Sequence, residues 1–90
     1  MEIIYQILYQ EHVVKEDIPS LPLKVKELIK RAMEELLMTN PIELGKPLRY
    51  SLKGHRRLWA RDYRIIYRLE EEEKRVNIIA IKHRKDIYED

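Results

Sequence analysis

The chain has 90 residues, 44% hydrophobic and 38% charged, with a formal net charge of +2, no cysteine and two glycines. That length makes one domain, 1–90, whose single small core buries about 60–65% of the surface the unfolded chain exposes. Without cysteine there is no disulfide framework, thiolate nucleophile or thiolate-bound metal, which fits a reducing, cytoplasmic address. The longest apolar runs, such as Ile78 to Ile81, fall far short of the roughly 20 residues a bilayer requires, and Met1-Glu2-Ile3 lacks the basic start of a secretory signal.

In chain order, Glu2 to Tyr9 alternates Ile3, Tyr5, Ile7 and Tyr9 with Ile4, Gln6 and Leu8, a strand buried on both faces. Val14, Ile18 and Leu21 then fit a short helix ended by Pro19. Ser20 is the expected N-cap of a second helix with Pro22 in its first turn, and Val25, Leu28, Ile29, Ala32, Met33, Leu36 and Leu37 follow at helical spacing up to Asn40-Pro41. After a loop holding Gly45 and Pro47 the period drops to two. His55 to Ala60, Tyr63 to Glu70 and Val76 to Arg84 are three strands on links short enough to demand antiparallel pairing. The predicted fold is α+β, ordered β-α-α-β-β-β, with two N-terminal helices on one face of a mainly antiparallel four-stranded sheet and the other face open.

Charge is distributed unevenly over these elements. Residues 1–44 carry a net −3, whereas residues 45–68 carry eight Lys/Arg against Asp62 alone, a net +7, and six of the eight are arginines. A basic run is often only a solvated face, but the planar fork of arginine suits bidentate contact with phosphate. Alternation puts Tyr63, Ile65, Tyr67 and Leu69 toward the helices with Leu58 and Ala60, leaving His55, Arg57, Trp59, Arg64 and Arg68 together on the open face. Cations, an imidazole and an indole can hold a phosphodiester backbone and stack a base, while Trp59 also admits a plain cation–π packing on an Arg stem. Lys82-His83-Arg84-Lys85 and Tyr88 add to this at the end of the last strand.

Three segments carry a resemblance: Leu48 to Leu58 (LRYSLKGHRRL), Asp62 to Tyr67 (DYRIIY) and His83 to Tyr88 (HRKDIY). In this order and spacing, over nearly the whole chain, the sequence resembles the RelE/ParE superfamily of toxins from type II toxin–antitoxin systems. The resemblance to its RelE branch implies a ribosome-dependent endoribonuclease that enters the ribosomal A site and cuts mRNA, with a RelB-like antitoxin as its neutralising partner. It implies catalytic roles for Arg64 on the phosphate, Arg84 as acid for the leaving 5′ oxygen, Tyr88 near the scissile phosphate, and Arg57 with His55 where that branch often has lysines. Arg49, Lys53, His55, Trp59, Arg68 and His83 are expected to bind the RNA.

The departures from the family pattern have chemical consequences. An arginine, unlike a lysine, does not lose its proton, so Arg57 serves as a clamp and a general base falls to His55 or His83. Arg61 replaces the turn glycine, so a left-handed residue there is strained. The three histidines and the Glu70 to Glu73 run lack metal-ligand spacing, and neither metal nor cofactor is expected; His12 reads as a surface residue. Two alternatives stay open, a ParE-like inhibitor of DNA gyrase without chemistry and a non-catalytic RNA-binding domain.

Overall fold

The computed structural model describes residues 4–48 and 54–87. Strands β1 (Gln6–Tyr9), β2 (Lys46–Pro47), β3 (His55–Ala60), β4 (Tyr63–Glu70) and β5 (Arg75–His83) form one mixed sheet in the order β1-β5-β4-β3-β2. Only the β1–β5 pair is parallel. The α+β class and the consecutive hairpins of the last three strands stand as predicted, while the sheet has five strands rather than four, because Lys46 and Pro47 pair briefly with β3. A two-residue strand has no hydrophobic alternation by which sequence could reveal it.

The helical layer also has more pieces than two. Helix α1 (Val13–Asp17) is a single wide turn closed by Ile18 N–H donating to the Val13 carbonyl at 2.9 Å, an i→i+5 bond. Its winding turns Val13 and Asp17 inward and leaves Val14 52% exposed, so Val14 is not the core residue its spacing suggests. Helix α2 (Leu23–Arg31) runs into α3 (Ala32–Leu37), where a second wide turn ends with Met38 N–H on the Met33 carbonyl, and Ile29, Met33 and Leu37 face the sheet. Pro22 occupies the cap position of α2, and the Ser20 hydroxyl instead donates back to the Asp17 carbonyl at 2.8 Å. A further short helix, α4 (Pro41–Leu44), starts on Pro41, whose missing N–H is harmless in a first turn.

Tyr67 ties α4 to the sheet. It is fully buried, its hydroxyl donates to the Pro41 carbonyl, and burial raises its pKa above the usual phenol value. Arg56, the cross-strand partner of Tyr67, faces the same way and donates to the carbonyls of Ile42 and Gly45. Arg56 thus satisfies a helix C-terminus, whose last carbonyls lack intrahelical partners, and does not join the open face.

The first strand differs most from expectation. Ile4 is 59% exposed, and Gln6 and Tyr9 are exposed as well, because β1 is an edge strand with one neighbour. It also stops early: β1 pairs with β5 only as far as Tyr9 opposite Ile78. Beyond that point side chains take over the edge. His12 Nε2 meets the Ile79 carbonyl at 2.6 Å, and Asp17 accepts the Ile81 N–H at 2.9 Å. His12 is therefore more than a surface residue; it satisfies a backbone group that would otherwise face an incomplete sheet.

Pairing of β4 with β5 slips between Ile66 and Tyr67, so that Ala80 faces Ile66 and Ile78 faces Tyr67, leaving Ile79 as an extra residue. Such a bulge reverses the alternation of every residue after it. Val76 and Ile78 point inward before it, and Ile81 points inward after it.

Candidate functional site

Residues paired directly across an antiparallel ladder share a face, with Cβ atoms about 4.5–5.5 Å apart. The register therefore builds the open face row by row. His55 stands opposite Arg68, Arg57 opposite Ile66, and Trp59 opposite Arg64. All five polar and aromatic residues predicted for one face lie on it. The rows extend at both ends: Lys46 of β2 is across from Arg57, and Lys82 of β5 is across from Arg64. Lys46 is not evident from sequence because β2 is so short; Lys82, expected at the basic end of the last strand, reaches this face only because the bulge turns it outward.

The same bulge removes His83 from this group. It pairs with Tyr63, and the two rings meet edge-to-face at 4.9 Å on the helical side. Its Nδ1 accepts the Lys85 N–H at 3.1 Å, capping the single 3₁₀ turn Arg84–Asp86. Strict alternation along β5 would have kept His83 beside the cations. Of the remaining predicted site residues, Arg49, Lys53 and Tyr88 lie outside the described residues.

Arg84 reaches the open face from the chain end. Its backbone N–H donates to the Asp62 carbonyl at 2.7 Å, which pins the turn after β5 to the tip of the β3–β4 hairpin. From there its guanidinium lies over the Trp59 ring, 5.3 Å from the centroid. Trp59 is 40% exposed, so the stack leaves part of the indole open to a further planar group. At the hairpin tip Arg61 adopts φ 56°, the left-handed conformation anticipated for it.

The electrostatics are lopsided. Arg68 is held by Glu70 at 2.8 Å, and Arg75 meets the other oxygen of that carboxylate at 2.9 Å. The Asn77 amide, with help from Arg75 and Arg68, keeps the Glu70 carboxyl below the usual carboxylate range. Among the described residues no carboxylate pairs with Arg57, Arg64 or Arg84, and the buried Arg64 Nε has no hydrogen-bond partner. Three guanidiniums without a carboxylate partner among the described residues make a surface that attracts an external anion.

The cationic face is a sheet surface, and two clefts among the described residues lie to its sides. One of about 490 Å³ runs between α2 and the hairpin tip, lined by Val25, Leu28, Arg31, Arg61 and Tyr63, and one of about 630 Å³ runs beside His55, Leu69 and Glu70 to Glu73. A chain of phosphates with stackable bases fits a flat, basic, aromatic-bearing sheet. None of the described helices is long and apolar enough to cross a membrane.

Comparison with known proteins accords with this geometry. Residues 8–88 match the family described as ParE toxin of type II toxin–antitoxin system, parDE. The chain is 32% identical to Toxin RelG of Mycobacterium tuberculosis over 74 residues, covering 82% of this chain and 85% of that protein. It is 36% identical to Toxin RelE of the same organism over 72 residues, covering 80% of this chain and 74% of that one. The crystal structure of the toxin–antitoxin complex RelBE2 from M. tuberculosis contains a similar chain, with a TM-score of 0.84, 26% identity, and coverage of 93% of this chain and 95% of that one.

Proposed function

The chain belongs to the family of ParE toxins of type II toxin–antitoxin systems and is a RelE-like toxin, and on that premise we propose that it is a ribosome-dependent endoribonuclease that cuts mRNA in the A site. The observation that carries this reading is the convergence of Arg57, Arg64 and the Trp59-stacked Arg84 on one open face without carboxylate partners among the described residues. A gyrase-binding surface needs no such unpaired triad around a stackable ring.

The chemistry follows from these side chains. The 2′-hydroxyl of one nucleotide loses its proton and attacks the adjacent phosphorus; the P–O5′ bond breaks and the 5′ oxygen takes up a proton. Arg64, central in its row between Trp59 and Lys82, stabilises the charge that grows on the non-bridging oxygens. Arg57, two residues from Trp59 along β3, clamps the same or the neighbouring phosphate but removes no proton. Arg84 lies over Trp59 on the far side of Arg64's row and donates toward the leaving oxygen, where Tyr88 joins it by family resemblance. His55 is the imidazole on this face and is the candidate base; His83 is turned away. Alignment of attacking oxygen and phosphorus can contribute about 7–11 kcal/mol in ideal cases, and the ribosome supplies it.

The neutralising partner is a RelB-like antitoxin, as in the similar RelBE2 complex. Leu23, Leu36, Ile42 and Leu44 are exposed on the helices, away from the cationic face, and give such a partner apolar area to cover.

Purified protein added to a translation reaction should cut message within A-site codons. Arg64→Ala should lower the cutting rate about 10²–10³-fold, the range for losing one donor to a developing oxyanion, with Arg84→Ala in the same direction. Intact message together with inhibited DNA supercoiling would transfer the assignment to a gyrase poison, and robust cutting of free RNA would refute positioning by the ribosome.

A further inference from the structure

Asp17 is the buried charged residue that the chemistry above leaves unused, 3% exposed at the end of α1. It lies against the edge of β5 where β1 has already ended, and each carboxylate oxygen has its own task. Oδ2 accepts the Ile81 N–H at 2.9 Å, and Oδ1 accepts from Lys82 Nζ at 3.0 Å. The first bond completes the sheet edge, and any side-chain carbonyl at position 17 could make it. The second uses the charge.

Lys82 is the other pole of the pair. Its side chain is half exposed while that of Asp17 is 2% exposed, so the pair shows solvent its cation and hides its anion. The ammonium has three donors, of which Asp17 takes one. Lys82 stands directly across from Arg64 on the open face. A lysine stem with four rotatable bonds would otherwise leave that charge poorly placed.

We propose that Lys82 contacts an RNA phosphate next to the one held by Arg64, and that Asp17 is its positioning residue. This rests on the open face being the RNA face, and it links α1 on the helical side to a charge on the opposite side of the sheet. The sign of one substitution separates positioning from simple electrostatics. Removing a carboxylate near a phosphate-binding surface should tighten RNA binding if charge alone counts; if Asp17 aims Lys82, removal should weaken it.

The test is the affinity of the full chain for an uncleavable 2′-O-methyl oligoribonucleotide at low salt and over a salt series. Lys82→Gln should weaken binding about tenfold, the scale of one charge-assisted contact, and lower the slope of log K against log salt by about 0.7. Asp17→Asn keeps an oxygen for the Ile81 N–H and should weaken binding about threefold, a part of the same charged contact. Added to Lys82→Gln, it should cost nothing more. Unchanged or tighter binding by Asp17→Asn, additive losses in the double variant, or an unaltered salt slope for Lys82→Gln would overturn the proposal. Lys82 is exposed, so its substitution does not depend on refolding a core. Binding of the oligonucleotide without any cutting of message in translation would sink the nuclease reading while leaving the Asp17–Lys82 assignment standing; a wild-type chain that does not bind it but still cuts message on the ribosome would remove the Asp17–Lys82 assignment and leave the nuclease reading standing.

Discussion

Gly45→Ala tests the packing on which the fold's closure around Tyr67 depends. Gly45 has φ −91° and ψ 156°, a backbone any residue adopts, so the glycine is required by proximity and not by conformation. A Cβ built there would fall inside the Tyr67 hydroxyl and come within 2.6 Å of its Cζ and 3.0 Å of Cε1. Tyr67 is completely buried and has no outward path, so the ring must tilt and give up its bond to the Pro41 carbonyl. Overpacking costs about 1–3 kcal/mol and the lost hydrogen bond about 0.5–1.5 kcal/mol. The sum of roughly 2–4 kcal/mol corresponds to a fall in melting temperature of about 10–25 °C for a domain of this size. Thermal denaturation followed by circular dichroism reads it directly. Tyr67→Phe in the Gly45→Ala background should cost less than it does alone, because the two substitutions disturb one contact. A melting temperature within about 3 °C of wild type would refute the argument.

Two further outcomes follow from the electrostatics and the stack. Because the folded Glu70 carboxyl is held below its usual range, its contribution to stability is complete above the unfolded value of about 4.3 and is lost as pH falls through the folded value. Glu70→Gln should flatten the acid limb of a stability-against-pH curve measured by urea titration, and an unchanged limb would refute the assignment. Trp59 is the sole tryptophan, so Arg84→Ala should shift its emission by removing the guanidinium 5.3 Å from the ring, while Lys24→Ala on the helical side should not; identical spectra for the two variants would mean that the stack does not form in solution.

These tests separate two jobs that the β3–β4 hairpin performs at once. Its inward residues, Arg56, Ile65 and Tyr67, hold helices and the short α4 in place; its outward residues, Arg57, Trp59 and Arg64, stand on the open face, where neither guanidinium pairs with a carboxylate among the described residues. Substitutions of the first kind should lower stability, and those of the second should lower function at constant stability.

Local pattern was enough for β3 and β4. A period of two, tight turns and a +7 segment are properties of neighbouring residues, so the bounds His55–Ala60 and Tyr63–Glu70, and the shared face of His55, Arg57, Trp59, Arg64 and Arg68, could be read from the chain alone. Edge position, winding and register could not. Whether β1 has one neighbour or two depends on where distant strands settle, and the inward turn of Val13 and Asp17 depends on a wide helical turn that amphipathic spacing does not encode. The bulge at Ile79 arises only when β4 and β5 pair, yet it decides that Lys82 faces the cations and His83 faces Tyr63. Side-chain parity is local only while pairing is regular; one inserted residue makes it a property of two strands together.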